Sequence, residues 1–200
     1  MSEWWTYRVA DFLMYSARTW FRLIEQYNAA FWPLQLFALL LGLVIMALAV
    51  RAPAGQGRAV GGILAVLWGW VAIAFLWRRY ATISTAGAWF AGAFGIQAIL
   101  LAWAGPLRNT FSFGVRGAAG WLGVVLLAAA VLAYPFVSVL AGRGIAQAEV
   151  FGMMPDPTAL GTIGVLVIAR GPWRRRLLVI PVLWCIVSAA LIWALRQEGG

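Results

Sequence analysis

Histidine is absent from this 200-residue chain, lysine is absent too, and Cys185 is the one cysteine. Losing the imidazole removes the commonest metal ligand and the most convenient general base. It also removes the usual axial ligand for haem and a common ligand for chlorophyll-type pigments. A lone cysteine allows no internal disulfide and no Cys-x-x-Cys metal site. Cys185 lies between Trp184 and Ile186 in an apolar run and reads as a small buried residue. Charge is scarce as well. Charged residues make up 10% of the chain, against ~25% in a soluble domain. There is no P-loop, no dinucleotide fingerprint and no nucleophile elbow. The sequence therefore implies no cofactor or metal, and bound lipid is the one small molecule it suggests.

Apolar residues fill the space that charge leaves, at 64% of the chain, and they fall into long runs. The expected fold is all-α, a single polytopic membrane domain over residues 1–200. About six spans are expected, at 30–50, 60–77, 86–104, 118–140, 158–169 and 177–195. The 15 basic residues are all arginines and give a net charge of +9. They cluster at the ends of apolar runs, as expected for contact with lipid phosphates, and form no nucleic-acid patch. The expected partners are the bilayer and other membrane proteins, or a second copy of the chain.

Residues 1–28 interleave aromatic and charged side chains. Trp4, Trp5, Phe12, Trp20 and Phe21 alternate with Glu3, Arg8, Asp11, Arg18, Arg22 and Glu25. With no continuous apolar core, the segment does not read as a signal peptide. A pause near Ser16 predicts two short amphipathic helices lying in the interface plane.

Within the spans, small residues recur at helical spacing. Gly61, Ala65 and Gly69 form one stripe, and Gly87, Ala91 and Gly95 a second. Such stripes let helices approach closely. Gln97 is an isolated amide inside the third span and needs a partner across helices. Pro135, preceded by Tyr134, should kink the fourth span.

Six spans put both termini on one face. That face holds seven arginines and all six acids, net +1, and the opposite face holds eight arginines, net +8. Basic residues mark the cytoplasmic side, so the +8 face is expected there and the termini on the other side.

One stretch differs from the rest. Glu149 to Gly161 concentrates acid, proline and glycine between two apolar segments. Pro155-Asp156-Pro157-Thr158 predicts a helix start with Asp156 as N-cap and Pro157 in the first helical position. The helix that follows is only about a dozen residues, or ~18 Å, short of a ~30 Å hydrocarbon core. Either the helix is broken or its start lies below the membrane surface and carries Asp156 with it; the plainer reading is a well-capped loop–helix junction, and the functional one a polar site at a sunken helix start. Glu149, Asp156, Thr158, Gln97 and Tyr134 are the candidate polar site residues.

Several segments carry a resemblance: Tyr27-Asn28-Ala29-Ala30 with Trp32-Pro33, Tyr80-Ala81-Thr82-Ile83, Phe151-Gly152 with Pro155-Asp156-Pro157-Thr158, and Ile180-Pro181-Val182-Leu183-Trp184. Through them the chain resembles, along nearly its whole length, a family of uncharacterised bacterial integral-membrane proteins. The resemblance implies six helices in a bacterial inner membrane and no known activity. In that family cysteine is often found between the two prolines, where Asp156 stands here. If relatives do thiol or soft-metal chemistry there, this chain has lost the ligand.

Together these features point first to a non-catalytic accessory subunit of a membrane complex. A small-solute transporter or channel using the start of the fifth span, Gln97 and Tyr134 is the alternative. A membrane enzyme using Glu149 and Asp156 comes third. A polar cavity reaching the bilayer interior would favour transport, and a dry core with an exposed small-residue face a subunit.

Overall fold

The structure is a computed structural model that describes residues 15–198. Over those residues it is all-helical, with seven helices and no strand beyond a single antiparallel bridge between Ser112 and Arg170. The first of the two N-terminal helices expected from the sequence lies outside the described residues. The second is α1, Ala17–Ala30, with Ser16 as N-cap accepting from the Thr19 N–H. Its buried face is Leu23, Ile24 and Tyr27, while Arg18, Arg22, Glu25 and Gln26 are exposed.

Five helices are long and apolar enough to cross a membrane. The first is α2, Leu34–Arg51, which Pro33 precedes as N-cap. The second, α3, begins at Gln56–Trp70 and continues through wider π-helical turns, Val71–Trp77. The third, α4, runs through Ala86–Ala102 and then π-helical turns at Trp103–Leu107. The span expected at 86–104 thus runs three residues further, past Gly105-Pro106. The proline is taken up inside the widened turns, where a missing N–H is tolerated. The fourth helix, α5, begins at Gly117–Ala128, widens over Ala129–Ala133, tightens over Tyr134–Phe136 and ends at Val137–Leu140. Pro135 sits in the tightened turn. A proline inside a helix loses one hydrogen bond and crowds the carbonyl four residues back. The change of helical pitch absorbs both effects.

The short helix is α6, Pro155–Ile168. The last is α7, Val179–Glu198, preceded by a single turn at Arg174–Leu177. Ten of the 14 residues of α6 are buried, so it is the central helix and its neighbours wrap around it. Backbones touch where glycines meet. A Cβ on Gly123 of α5 would lie 2.7 Å from the Gly164 carbonyl of α6, and a Cβ on Gly164 2.7 Å from the Gly123 carbonyl. Trp68, fully buried on α3, donates from Nε1 to Thr162 Oγ1 of α6 at 2.8 Å and packs 4.3 Å from the Phe94 ring of α4.

The two expected stripes contribute unequally. A Cβ on Gly61 would come 2.6 Å from Gly105 Cα, so α3 and α4 are in backbone contact there. Gly87 lies against the backbone of Tyr80 and Ala81, and Ala91 is buried. Gly69 meets only Ala98 Cβ, at 3.9 Å, and a Cβ on Gly95 would meet nothing within 4 Å. Ala65 is half-buried.

The connections sort to two ends. At one end Tyr15 hydrogen-bonds Tyr80 at 2.8 Å, and Asn28 donates to the Ala146 and Ala148 carbonyls. Tyr27 ties α1 down there, donating to the Met153 carbonyl and accepting from Trp70 Nε1. At the other end the Ser112–Arg170 bridge joins two loops, and Arg108, Trp103, Trp173 and Arg176 stack in cation–π and ring contacts. The arginine-rich face expected from the sequence gathers at this second end.

Candidate functional site

Because α6 has only 14 residues, it covers ~21 Å, whereas the 24 residues of α5 cover ~36 Å. Its C-terminal end is level with the Ser112–Arg170 bridge at the arginine-rich end. The shortfall therefore appears at its N-terminus, which is recessed into the bundle. A helix start has free N–H groups that need partners. Here Pro155 and Pro157, in the first and third helical positions, carry none. The loop that delivers the chain to this point, Val150 to Met154, is buried throughout. It is satisfied locally. Gly152 takes a φ of 78°, its N–H donates to Thr158 Oγ1 at 2.8 Å, and that hydroxyl donates to the Met154 carbonyl.

The expected cap is corrected by this geometry. Met154 is the N-cap, without a side-chain hydrogen bond, and Asp156 is in the second helical position. Pro155 takes the first position itself, which carries Asp156 round to face other helices instead of its own backbone. Its Oδ1 accepts from Trp184 Nε1 at 2.7 Å, and its Oδ2 from Ser188 Oγ at 2.6 Å and from the Tyr134 hydroxyl at 3.4 Å. A short contact of this kind is typical of a charge-assisted bond to a carboxylate. The carboxylate also lies in the first turn of α6, where the helix dipole favours negative charge.

Asp156 opens on a cleft of about 350 Å³. Its walls come from five places: α1 and Tyr15, Tyr80 at the turn after α3, Tyr134 on α5, the loop carrying Arg143 and Glu149, and Trp184, Ser188 and Leu191 on α7. Six aromatic rings line it, those of Tyr15, Trp20, Phe21, Tyr80, Tyr134 and Trp184. Trp20 stands edge-on to Tyr80 at 5.1 Å, and Arg143 lies 4.0 Å from the Phe21 ring centroid. Glu149 is half-buried and has no hydrogen-bond or ion-pair partner among the described residues. Burial raises its pKa, the charge of Asp156 raises it further and Arg143 opposes both, leaving it up to about 8. Near neutral pH Glu149 thus holds its proton, while Asp156 is surrounded by donors.

Three of the five expected site residues, Asp156, Glu149 and Tyr134, meet in this cleft. Thr158 does not reach it. Its hydroxyl closes the buried turn before α6. Gln97 lies elsewhere, fully buried, with Nε2 donating to the Leu177 carbonyl and Oε1 unpartnered. Sequence reasoning placed Arg143 near the two acids in their loop, missed Ser188, Tyr15 and Tyr80, and gave Trp184 no role at the site. The available signal was on α7. Trp184 and Ser188 are four apart in an apolar helix, so both polar groups share one face. Among the described residues no three His, Cys, Asp or Glu side chains gather as a metal site.

Comparison with known proteins places the chain. Residues 17–198 match the family of unknown function DUF6064, and the chain belongs to that family. No curated protein matches it. No solved structure does either.

Proposed function

We propose that this is a multi-pass membrane protein that binds a small organic cation in the Asp156 cleft and moves it across the bilayer as a transporter or channel would. The observation that carries this reading is a carboxylate recessed in the bundle and opening on a cleft with six aromatic rings. Ionisable groups within membrane helices are costly and mark solute or ion pathways. Helix starts at membrane depth line solute sites in transporters with their positive ends toward anionic groups, and here Asp156 is the anionic group that turns the site toward a cation. Aromatic faces attract cations by ~0.5–2 kcal/mol each when desolvated. The wall already holds one such pair, Arg143 over Phe21. With two carboxylates on its wall, each able to lose its proton to a bound cation, the cleft can offset the charge of an amine or quaternary ammonium.

The arginine-rich end would lie in the cytoplasm of a bacterial inner membrane, and the cleft would open on the other side. An accessory-subunit role has less support. Of the small residues that suggested partner helices, Gly61 and Gly87 are used within the bundle, against Gly105 and Ala81, and Ala91 is buried, whereas Gly69 and Gly95 stay open.

The test is isothermal titration of the full-length chain in detergent with choline and with 3,3-dimethylbutanol, its uncharged isostere. Binding of choline alone is expected, at least tenfold weaker in Asp156→Asn. Equal binding of the isostere would overturn the reading, as would an unaltered affinity in Asp156→Asn.

A further inference from the structure

A second, larger depression of about 670 Å³ lies on the other side of the Glu149 loop. It runs between α2, at Leu36, Leu39 and Leu43, and α5, at Val131, Leu132 and Phe136. Leu36 and Leu43 are seven positions apart, so the groove descends ~10 Å along α2. Its walls are almost entirely apolar. Its mouth lies against α1, at Glu25, Asn28 and Ala29. A separate polar depression, lined by Arg18, Phe21, Arg22, Glu25 and Gln147, adjoins it and shares Glu25. Arg18, Arg22, Glu25 and Ala29 are spaced by three and four, so they form one continuous face of α1. Arg18, Arg22 and Glu25 are exposed, and among the described residues none of them has a hydrogen-bond or ion-pair partner. Glu25 is the charged residue at the groove's own mouth, and Arg18 and Arg22 line the adjoining depression, so the two together carry a net charge of +1 beside an apolar slot.

From this juxtaposition we infer that the groove is a site for one glycerophospholipid of single negative charge. Its phosphodiester sits on Arg18 and Arg22, and an acyl chain lies between α2 and α5. Guanidinium groups match phosphate oxygens through paired N–H donors. Each buried methylene adds affinity that a soluble phosphate lacks. Arg22 lies between Glu25 and Arg18, so the phosphate meets two positive charges and the carboxylate faces the glycerol side. The inference rests on the membrane reading but is independent of cation binding in the cleft.

The experiment is native mass spectrometry of the full-length chain in detergent, with chain-matched phosphatidylglycerol and phosphatidylcholine in equal amounts. Phosphatidylglycerol should be retained at least fivefold over phosphatidylcholine. The double variant Arg18→Gln/Arg22→Gln should lose that preference, and Leu39→Trp, which fills the groove, should lose retention of both lipids. Should Leu39→Trp not fold, Leu43→Phe does the same lower in the groove. Equal retention by the parent protein, a preference that survives the double variant, or retention unaffected by filling the groove would each overturn the site. Free glycerol phosphate competing as well as the lipid would also overturn it, because the groove would then contribute nothing. Asp156→Asn should leave the lipid preference unchanged, which separates this result from the fate of the cation cleft. A chain that leaves the membrane fraction in alkaline wash would refute the membrane reading itself.

Discussion

Replacing Asp156 by alanine and by asparagine tests the site through stability alone, before any ligand is known. Alanine removes the acceptor for Trp184 Nε1 and Ser188 Oγ. The indole cannot turn away, because its ring is held edge-on between Phe90 at 5.1 Å and Phe94 at 5.0 Å. Its N–H is then buried without a partner, at a cost of ~1–3 kcal/mol. Ser188 can rotate its hydroxyl toward a carbonyl of its own helix, so its loss is small. Removing a negative charge from the first turn of α6 adds ~0.3–1 kcal/mol. The sum is ~1.5–4 kcal/mol, or a melting temperature lower by roughly 4–12 °C for a chain of this length. Asparagine keeps an oxygen for Trp184 and can donate to Ser188 Oγ. Only the dipole and charge-assisted parts are lost, ~0.5–1.5 kcal/mol, or roughly 1–5 °C. The assay is thermal unfolding in detergent at pH 7, followed by tryptophan fluorescence. Alanine within about 1 °C of the parent, or no more destabilising than asparagine, would refute the hydrogen-bonded arrangement on which the cleft depends.

Glu149 makes a pH prediction. Its folded pKa, raised to about 8 from an ordinary 4.5, means that the folded chain keeps a proton that the unfolded chain loses. Stability should therefore fall as pH rises from about 4.5 to about 8. Glu149→Gln should flatten that decline, and identical slopes for the two proteins would exclude the shift. A cation in the cleft favours the charged form, so its affinity should tighten as pH rises through about 8 and lose this dependence in Glu149→Gln. Among the glycines, Gly61→Ala puts a methyl 2.6 Å from Gly105 Cα and should cost ~1–3 kcal/mol by overpacking. Gly69→Ala, with its nearest neighbour at 3.9 Å, should leave the melting temperature almost unchanged. A reversed order of these two variants would show that α3 and α4 meet on a different face.

The helices were legible because their cause is local. Continuous apolar runs closed by arginines announce long helices, and five of them have the length and composition to cross a membrane. The shortness of α6 was legible for the same reason. The use of the stripes was not. Gly61 and Gly69 both belong to one four-residue repeat, yet α3 touches α4 backbone at the first and diverges by the second. A crossing angle decides that, and a crossing angle depends on both helices. The expected cap at Asp156 failed through a one-residue competition. Either proline of Pro155-Asp156-Pro157 can start a helix, and only the buried turn at Gly152 and Thr158 selects Pro155. The partners of Asp156 were the least legible part. Trp184 and Ser188 are 28 and 32 residues away, and nothing in either segment records which helix it faces.

The two prolines suggest how a charged helix start is tolerated inside an apolar bundle. Burying a helix N-terminus is costly mainly because its first N–H groups lose water. Pro155 and Pro157 remove two of those donors, and the Thr158 N–H is turned to the Met154 carbonyl at 3.4 Å. With few backbone donors of its own to satisfy, the carboxylate of Asp156 is left to side chains from α5 and α7. A carboxylate used as an N-cap is spent on its own helix and offers little to a ligand. One held by Trp184, Ser188 and Tyr134 instead ties α6 to α7 and α5 and stays on the wall of the cleft. On the reading proposed above, a bound cation would share that carboxylate with the three donors. The substitution that hides the site from a sequence reading, Pro155 for Asp156 at the helix start, is also what turns Asp156 toward the cleft.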